Sequence, residues 1–346
     1  MERHYLPLLA CAGALAPFFV YPLFAMKVLI LSLLAAAYNL LFGYVGLLAF
    51  GHAAFFGVAA YVAAETAKSL GLTPELSILA GIFCAGALGY VFALIAIRRQ
   101  GLYFAMITLA LAQLAYFYAV QAPWTGGDEG LHGIPRNKLF GLIDLSHPLA
   151  MYFLVLALFL GGFFVIQRTI RSPFGEILQA IRENEPRAIS LGYNADQFKT
   201  VAFVISACLS GLAGALNALA FQYASLADMS FHFSGEILLM VLIGGVGTLL
   251  GPIAGAIVLA AMQHYLATSG ALVIVLQGAI FVVCILAFPR GIAGTFGMWI
   301  EKWRVERRLS GTSETAEPGR GAVSVPPRPR EVDAGEAMPA LPDATN

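Results

Sequence analysis

Residues 168–199 read RTIRSPFGEILQAIRENEPRAISLGYNADQFK, the one long charged stretch in an otherwise apolar chain. It holds five basic residues (Arg168, Arg171, Arg182, Arg187, Lys199) and four acidic ones (Glu176, Glu183, Glu185, Asp196). Ile177, Ile181, Ala188 and Leu191 recur at helical spacing on one side. Pro186 lacks an N–H, so it interrupts a first helix and suits the first turn of a second. Asn184 or Glu185 would cap that second helix, and Gly192 would end it as a C′ glycine. The pattern predicts a helix, a kink and a short helix held at a membrane face. Such a shape suits a docking surface for a soluble motor. It equally suits a solvated connection held by surface charge pairs.

Working outward, apolar spans flank this stretch on both sides. The chain has 346 residues, 59% of them hydrophobic and 12% charged, with a mean hydropathy of +0.80. A soluble domain of this size cannot hide that much apolar surface, whereas a polytopic membrane protein can give it to lipid. The net charge of +0 offers nothing to nucleic acid. Cys11, Cys84, Cys208 and Cys284 all fall in apolar runs without a CxxC pair, so they read as small packing residues, not metal ligands. Residues 1–25 mimic a signal peptide, but further apolar spans follow at once, which predicts an uncleaved first span.

Ten apolar segments are expected, at about 5–25, 28–49, 52–69, 76–97, 102–120, 149–167, 200–223, 236–249, 253–268 and 271–288. A spanning helix needs about 20 residues, and 236–249 and 253–268 fall short of it. Ten segments put both termini on one side. That side holds thirteen of the basic residues up to position 308, against Lys27, Lys68, Arg136 and Lys138 opposite. The positive-inside rule therefore predicts cytoplasmic termini and a cytoplasmic 168–199 loop. Residues 121–148 form the largest outer loop, where Asp128 and Glu129 could meet a basic rim on a binding protein or simply be solvated. WIEKWRVERRL (299–309) reads as a basic amphipathic helix on the inner membrane surface. The organisation is thus a membrane domain over 1–295, an amphipathic helix over 296–310 and a disordered Pro/Gly/Ala-rich tail over 311–346.

Two glycine-rich turns align with one gap, Gly43 with Gly244, Gly46 with Gly247 and Gly51 with Gly251. The match fits either an internal repeat or ordinary glycine usage in membrane helices. Both are places where helices break, and broken backbone at membrane depth is tolerated only under protein cover or beside a wet cavity. Transporter sites sit at such breaks, and tight helix contacts use the same residues. Few ionisable groups fall inside spans. Glu65 and Lys68 would pair with each other, and Glu236 suits a helix N-terminus. Asn39, Gly46, Gly51, His52, Asn217, Gly247 and Gly251 are the candidate lining of a translocation pathway. No GxxxxGK[ST], HExxH, GxSxG or paired-carboxylate pattern occurs, so no ATP site, cofactor or enzyme chemistry is expected on this chain.

Glu185-Pro-Arg-Ala188 followed by Gly192 resembles the "EAA…G" loop of ABC-importer permeases, with Pro186 where that motif has alanine. RSPFGEILQAIRENE, SLGYNADQFKTVAFVISACLSGLAGAL, GYVGLLAFGHAAFFG, GGVGTLLGP and TGGDEGLHGIP resemble the membrane subunit of branched-chain amino acid importers, over roughly 28–295. The resemblance implies an all-α polytopic permease with a cytoplasmic coupling helix, in which Glu185, Ala188 and Gly192 meet the motor. It also implies P-loop ATPase subunits on other chains, a second homologous permease subunit, a periplasmic substrate-binding protein and an inner-membrane location. Leucine, isoleucine, valine or a similar small amino acid would be the cargo, with urea, an amide or a simple sugar as alternatives. An ion-coupled secondary transporter would need a deep carboxylate relay, and mid-span Asp and Glu are scarce.

Overall fold

The computed structural model describes residues 5–139, 141, 143–266, 273–287 and 291–295. The segments expected at 296–310 and 311–346 lie outside them. Twelve α-helices carry most of the described residues. In order they are α1 (Tyr5–Phe19), α2 (Pro22–Asn39), α3 (His52–Lys68), α4 (Pro74–Ala96), α5 (Leu102–Gln121) and α6 (Pro148–Ile170). Then follow α7 (Pro173–Glu183), α8 (Glu185–Ser190), α9 (Ala195–Phe221), α10 (Phe231–Gly244), α11 (Gly251–Leu266) and α12 (Val273–Ala287). Proline opens α2, α4, α6 and α7, where its missing N–H costs no hydrogen bond. Among the described residues, four two-residue strands form two antiparallel pairs, Leu131–His132 with Tyr223–Ala224 and Lys138–Leu139 with Ile143–Asp144.

Among the described residues, five segments are long and apolar enough to span a membrane: Pro22–Val45, Pro74–Ala96, Leu102–Gln121, Pro148–Ile170 and Ala195–Phe221. α10 and α11 are short, as expected, at 14 and 16 residues. Contrary to expectation, α1 and α3 are short too, at 15 and 17 residues. For α3 the reason is visible. α2 runs into a π turn over Leu40–Val45, ends at Gly46 with φ +81°, and the chain climbs non-helically to His52. Thr108 Oγ1 accepts from the Phe50 N–H at 3.1 Å, and Ser234 Oγ donates to the Phe50 carbonyl at 3.0 Å. Protein side chains thus supply what lipid cannot give a broken backbone.

Of these five spans Pro22–Val45 is the most buried, at 78%, and α5 the least, at 28%. α3, α4 and α9 meet along a seam of small residues. A Cβ on Gly81 would stand 2.9 Å from the Ala59 carbonyl, and one on Gly86 2.6 Å from Cys208 Sγ. Added Cβ atoms on Gly89, Gly211 and Gly214 would strike Ala207, Ala85 and the Phe56 carbonyl. In lipid, where hydrophobicity gives no preference for helix contact, such close approach supplies the packing energy.

The helices alternate between two ends. The turn at Gly46, the α4–α5 turn, α7, α8 and the α10–α11 turn share one end, and residues 47–51 run from it toward the start of α10; the described residues of 122–147 and residues 222–230 share the other. At that second end the long loop is stitched down. Arg136 donates to the Leu219 and Ala220 carbonyls, Asn137 to the Leu72 carbonyl at 3.2 Å, and Gln222 to the Ile134 carbonyl at 3.1 Å. Lys68 does not pair with Glu65; its Nζ donates to the His132 carbonyl at 3.1 Å instead.

Candidate functional site

Each helix of the charged stretch is capped by its own sequence. Ser172 accepts from the Gly175 N–H, Asn184 from the Arg187 N–H and Asn194 from the Gln197 N–H. Asn184, not Glu185, is the cap of α8. Its other end closes at Gly192, φ +92°: Gly192 N–H donates to the Ile189 carbonyl at 2.9 Å and Tyr193 N–H to the Ala188 carbonyl at 3.2 Å. That bond pair is a Schellman closure, which places a residue free of Cβ strain at the C′ position.

The side chains of α8 divide sharply. Ala188 is 3% exposed and packs with Ile181 and Ala195, so its small size seats α8 on its own chain. Glu185 pairs with Lys199 Nζ at 2.5 Å and accepts from Gln100 Nε2 at 2.8 Å, tying α8 to α9 and to the α4–α5 turn. Ile189 and Leu191 are 55% and 69% exposed. Leu191 therefore leaves the apolar stripe in which its spacing placed it, because the helix has already ended at Ser190.

α7 continues the contact inward. Arg182 donates through Nη1 to the Gly43 carbonyl, and a Cβ on Gly46 would lie 2.9 Å from Arg182 Cγ. A cavity of about 420 Å³ opens beside them, lined by Val45, Gly46, Gln100, Arg182, Glu185 and Lys199 among others. Gly43 in turn sits on the second glycine turn: a Cβ there would meet Gly247 N at 2.6 Å and Gly247 Cα at 2.9 Å. Asn39 locks the pair. Its Nδ2 donates to the Thr248 carbonyl at 2.8 Å and its Oδ1 accepts from the Gly247 N–H at 3.0 Å. Both hydrogen-bonding ends of its amide are spent on backbone. The two turns also share a shape. Gly46 and Gly247 have φ +81° and +74°, and each precedes a helix that begins at or just after the aligned Gly51 or Gly251.

Gly251 packs where a side chain has no room: a Cβ would meet Thr248 Oγ1 and stand 2.7 and 2.8 Å from the Gly245 and Gly244 carbonyls. Gly278 in α12 has nothing within 4 Å. Gly251→Leu is therefore expected to lower transport at least about tenfold, the cost of overpacking being ~1–3 kcal/mol, while Gly278→Leu is mild. Uptake per inserted molecule is the measurement, and equal tolerance at both positions would remove the special role of Gly251.

The remaining expected residues lie elsewhere. Gly51 caps α3 against Phe92 and Phe55. His52 is buried at mid-depth, 2.8 Å from Ser206 Oγ. The single Ser206 proton goes to the Ala37 carbonyl at 2.6 Å, so His52 Nε2 is the donor and its Nδ1 is left without a partner. Asn217 is at the opposite end, where it donates to Asp228 Oδ2 at 3.3 Å. The structure thus gathers Asn39, Gly46, Gly247 and Gly251 and leaves His52 and Asn217 apart. Sequence reasoning missed Arg182, Gly43, Thr248 and Asp228 as site members.

The family described as branched-chain amino acid transport system / permease component matches residues 22–286. The chain belongs to this permease family. The permease is 28% identical over 292 residues to the high-affinity branched-chain amino acid transport system permease protein LivM of Salmonella typhimurium, covering 78% of this chain and 68% of that one. LivM of Escherichia coli matches to the same extent. The autoinducer 2 import system permease protein LsrC of Klebsiella pneumoniae is 31% identical over 166 residues, 45% of this chain and 46% of its own. No solved structure matches the permease. Both glycine turns and the α7–α8 segment fall inside the matched region of the permease.

Proposed function

We propose that the permease carries branched-chain or similar small amino acids across the inner membrane, driven by a separate P-loop ATPase that docks on α8. The observation that carries this reading is the seat of α8. It is capped at both ends, tied to α9 by Glu185–Lys199, joined through α7 and Arg182 to both glycine turns, and left with Ile189 and Leu191 facing outward. Glu185, Ala188 and Gly192 hold the helix that meets the motor, while Ile189 and Leu191 make the contact. This end and both termini lie in the cytoplasm on this reading, which the excess of basic residues on that side supports. The outward apolar surface of α4 and α5, with Phe83, Leu114 and Tyr118, meets lipid or a second homologous permease subunit. A periplasmic binding protein delivers cargo to the opposite end. The match to an autoinducer 2 import permease favours a second reading, a cargo other than an amino acid.

The test is co-purification of the ATPase subunits with the Ile189→Asp and Leu191→Asp variants. Truncating or charging an exposed anchor at an interface costs about 2 kcal/mol or more, so retention of the ATPase should fall at least about tenfold with insertion unchanged. Wild-type retention by both variants would move the docking surface elsewhere. Labelled leucine uptake by the assembled importer decides between the two cargo readings.

A further inference from the structure

At the end opposite α8, opposite charges are held apart in a half-buried place. Lys27 projects from α2, Asp228 from the 3₁₀ turn Leu226–Met229 and Glu236 from α10. Lys27 lies within electrostatic range of both carboxylates, yet among the described residues no ion pair or hydrogen bond joins its ammonium to either. The two carboxylates differ in how they are satisfied. Glu236 accepts from Gln277 Nε2 at 2.7 Å and from Gln263 Nε2 at 3.0 Å, with His232 Nδ1 3.7 Å away. Among the described residues, the Asp228 carboxylate has only the 3.3 Å contact from Asn217. Burial pushes the Asp228 carboxyl up to about 6, with Lys27 pulling it down and Glu236 pushing it up. An anion so placed is short of a cationic partner.

A third group points to the same place. Tyr61 is 1% exposed, and its hydroxyl has no hydrogen-bond partner although the charge of Asp228 acts on it. Ser32, Tyr38 and Ser77 also carry buried hydroxyls without a partner among the described residues, but the Tyr61 hydroxyl combines that with the nearby charge of Asp228. Tyr61 and Met229, the neighbour of Asp228, also line an apolar cavity of about 630 Å³ between α3, α4 and α5. The charged gap and the apolar cavity therefore share a wall, and the cavity opens on the outward face of α4 and α5 at Leu114 and Tyr118, so it serves a ligand where the second permease subunit, not lipid, covers that face.

We propose that Asp228, Lys27 and Tyr61 form a binding site for a zwitterionic α-amino acid with an aliphatic side chain, at the end of the permease opposite α8. Asp228 takes the ammonium, Lys27 the carboxylate, and Tyr61 supplies a further hydrogen bond while its ring faces the side chain. Glu236, already held by two amides, fixes α10, α11 and α12 around the site. The bland alternative is a packing network that fastens helices and binds nothing. A fastening network, however, closes its charges on each other, and here Lys27 and Asp228 are left unclosed. The site deepens the reading of the chain as an amino acid permease and rests on it.

The experiment is binding of tritiated leucine to the full chain in lipid nanodiscs. Saturable binding is expected. 4-Methylpentanoate, which lacks the ammonium, and 3-methylbutylamine, which lacks the carboxylate, should each compete at least about tenfold less well than leucine, since one charged contact removed is worth that factor. Lys27→Gln and Asp228→Asn should each weaken binding by a similar factor, and Tyr61→Phe by less. The half-analogue arm uses the unaltered protein, so it stands even where a variant fails to fold. Absence of saturable binding, equal competition by the half-analogues, or full binding by folded Lys27→Gln and Asp228→Asn overturns the site. Uptake by the assembled importer separates the two readings. Normal leucine uptake through both variants sinks the site and leaves the permease reading. Leucine binding that needs Lys27 and Asp228, in a chain that supports no uptake, sinks the permease reading and leaves the site.

Discussion

Leucine in place of Gly43 is expected to abolish uptake while the chain still inserts. The Cβ alone would collide with Asn39 Oδ1 and stand 2.6 Å from Gly247 N, so the two glycine turns must part. Parting them breaks both hydrogen bonds of the Asn39 amide. Overpacking costs ~1–3 kcal/mol, and each buried polar group left unpaired costs a similar amount. A total on the order of 3–9 kcal/mol lowers the population of the closed contact at least about a hundredfold. Gly43→Ala should fall between this variant and wild type. Gly161→Leu on α6, where nothing lies within 4 Å, is the control and should transport normally. Uptake of labelled leucine, normalised to membrane abundance, is the readout. Wild-type uptake by Gly43→Leu would mean that the contact between the turns plays no part in transport.

Ala188→Arg and Gly192→Val are expected to silence the motor without displacing the permease from the membrane. A guanidinium at 188 has no partner in the pocket formed by Ile181 and Ala195, so it lifts α8 off its seat. At Gly192 the obstacle is the backbone. Nothing lies within 4 Å, but φ +92° is a conformation that a β-branched residue resists, at a cost on the order of 1–3 kcal/mol. Both variants should lose substrate-stimulated ATP hydrolysis and uptake by at least about tenfold, the factor that 1.4 kcal/mol represents. Gln179→Arg, exposed on α7, should be mild. ATPase activity of the reconstituted complex, with and without loaded binding protein, checks the expectation. Normal stimulation in both variants would leave α8 a mere connection.

α8 was legible because its signals are local. Asn184, Pro186 and Gly192 fix its start, first turn and end within nine residues, and no distant contact overrides them. Leu191 was misplaced for the same reason: helical spacing continues on paper after the chain has turned. Partners across the fold had no such signal. Arg182 meets Gly43 across 139 positions and Asn39 meets Thr248 across 209. In sequence Arg182 reads like any other charge of an amphipathic helix and Asn39 like a pathway amide, whereas both ends of that amide are bound to backbone. The glycines announced a break in the chain, not that the two breaks rest on each other. Lys27 counted only toward charge sidedness, and Asp228 lay in a short connection between apolar segments.

The small-residue seam makes α9 a stiff rod. Where backbone lies against backbone or a single Cβ, few side chains can rotate aside to absorb a push, so the seam favours α3, α4 and α9 moving as one body. Lys199, near the start of that rod, grips Glu185 of α8; Asn217, near its far end, touches Asp228. The two positions are separated by about 27 Å of helix at 1.5 Å per residue. A displacement of α8 would therefore reach the Asp228 carboxylate as a translation of nearly equal size, with no relay of side chains in between.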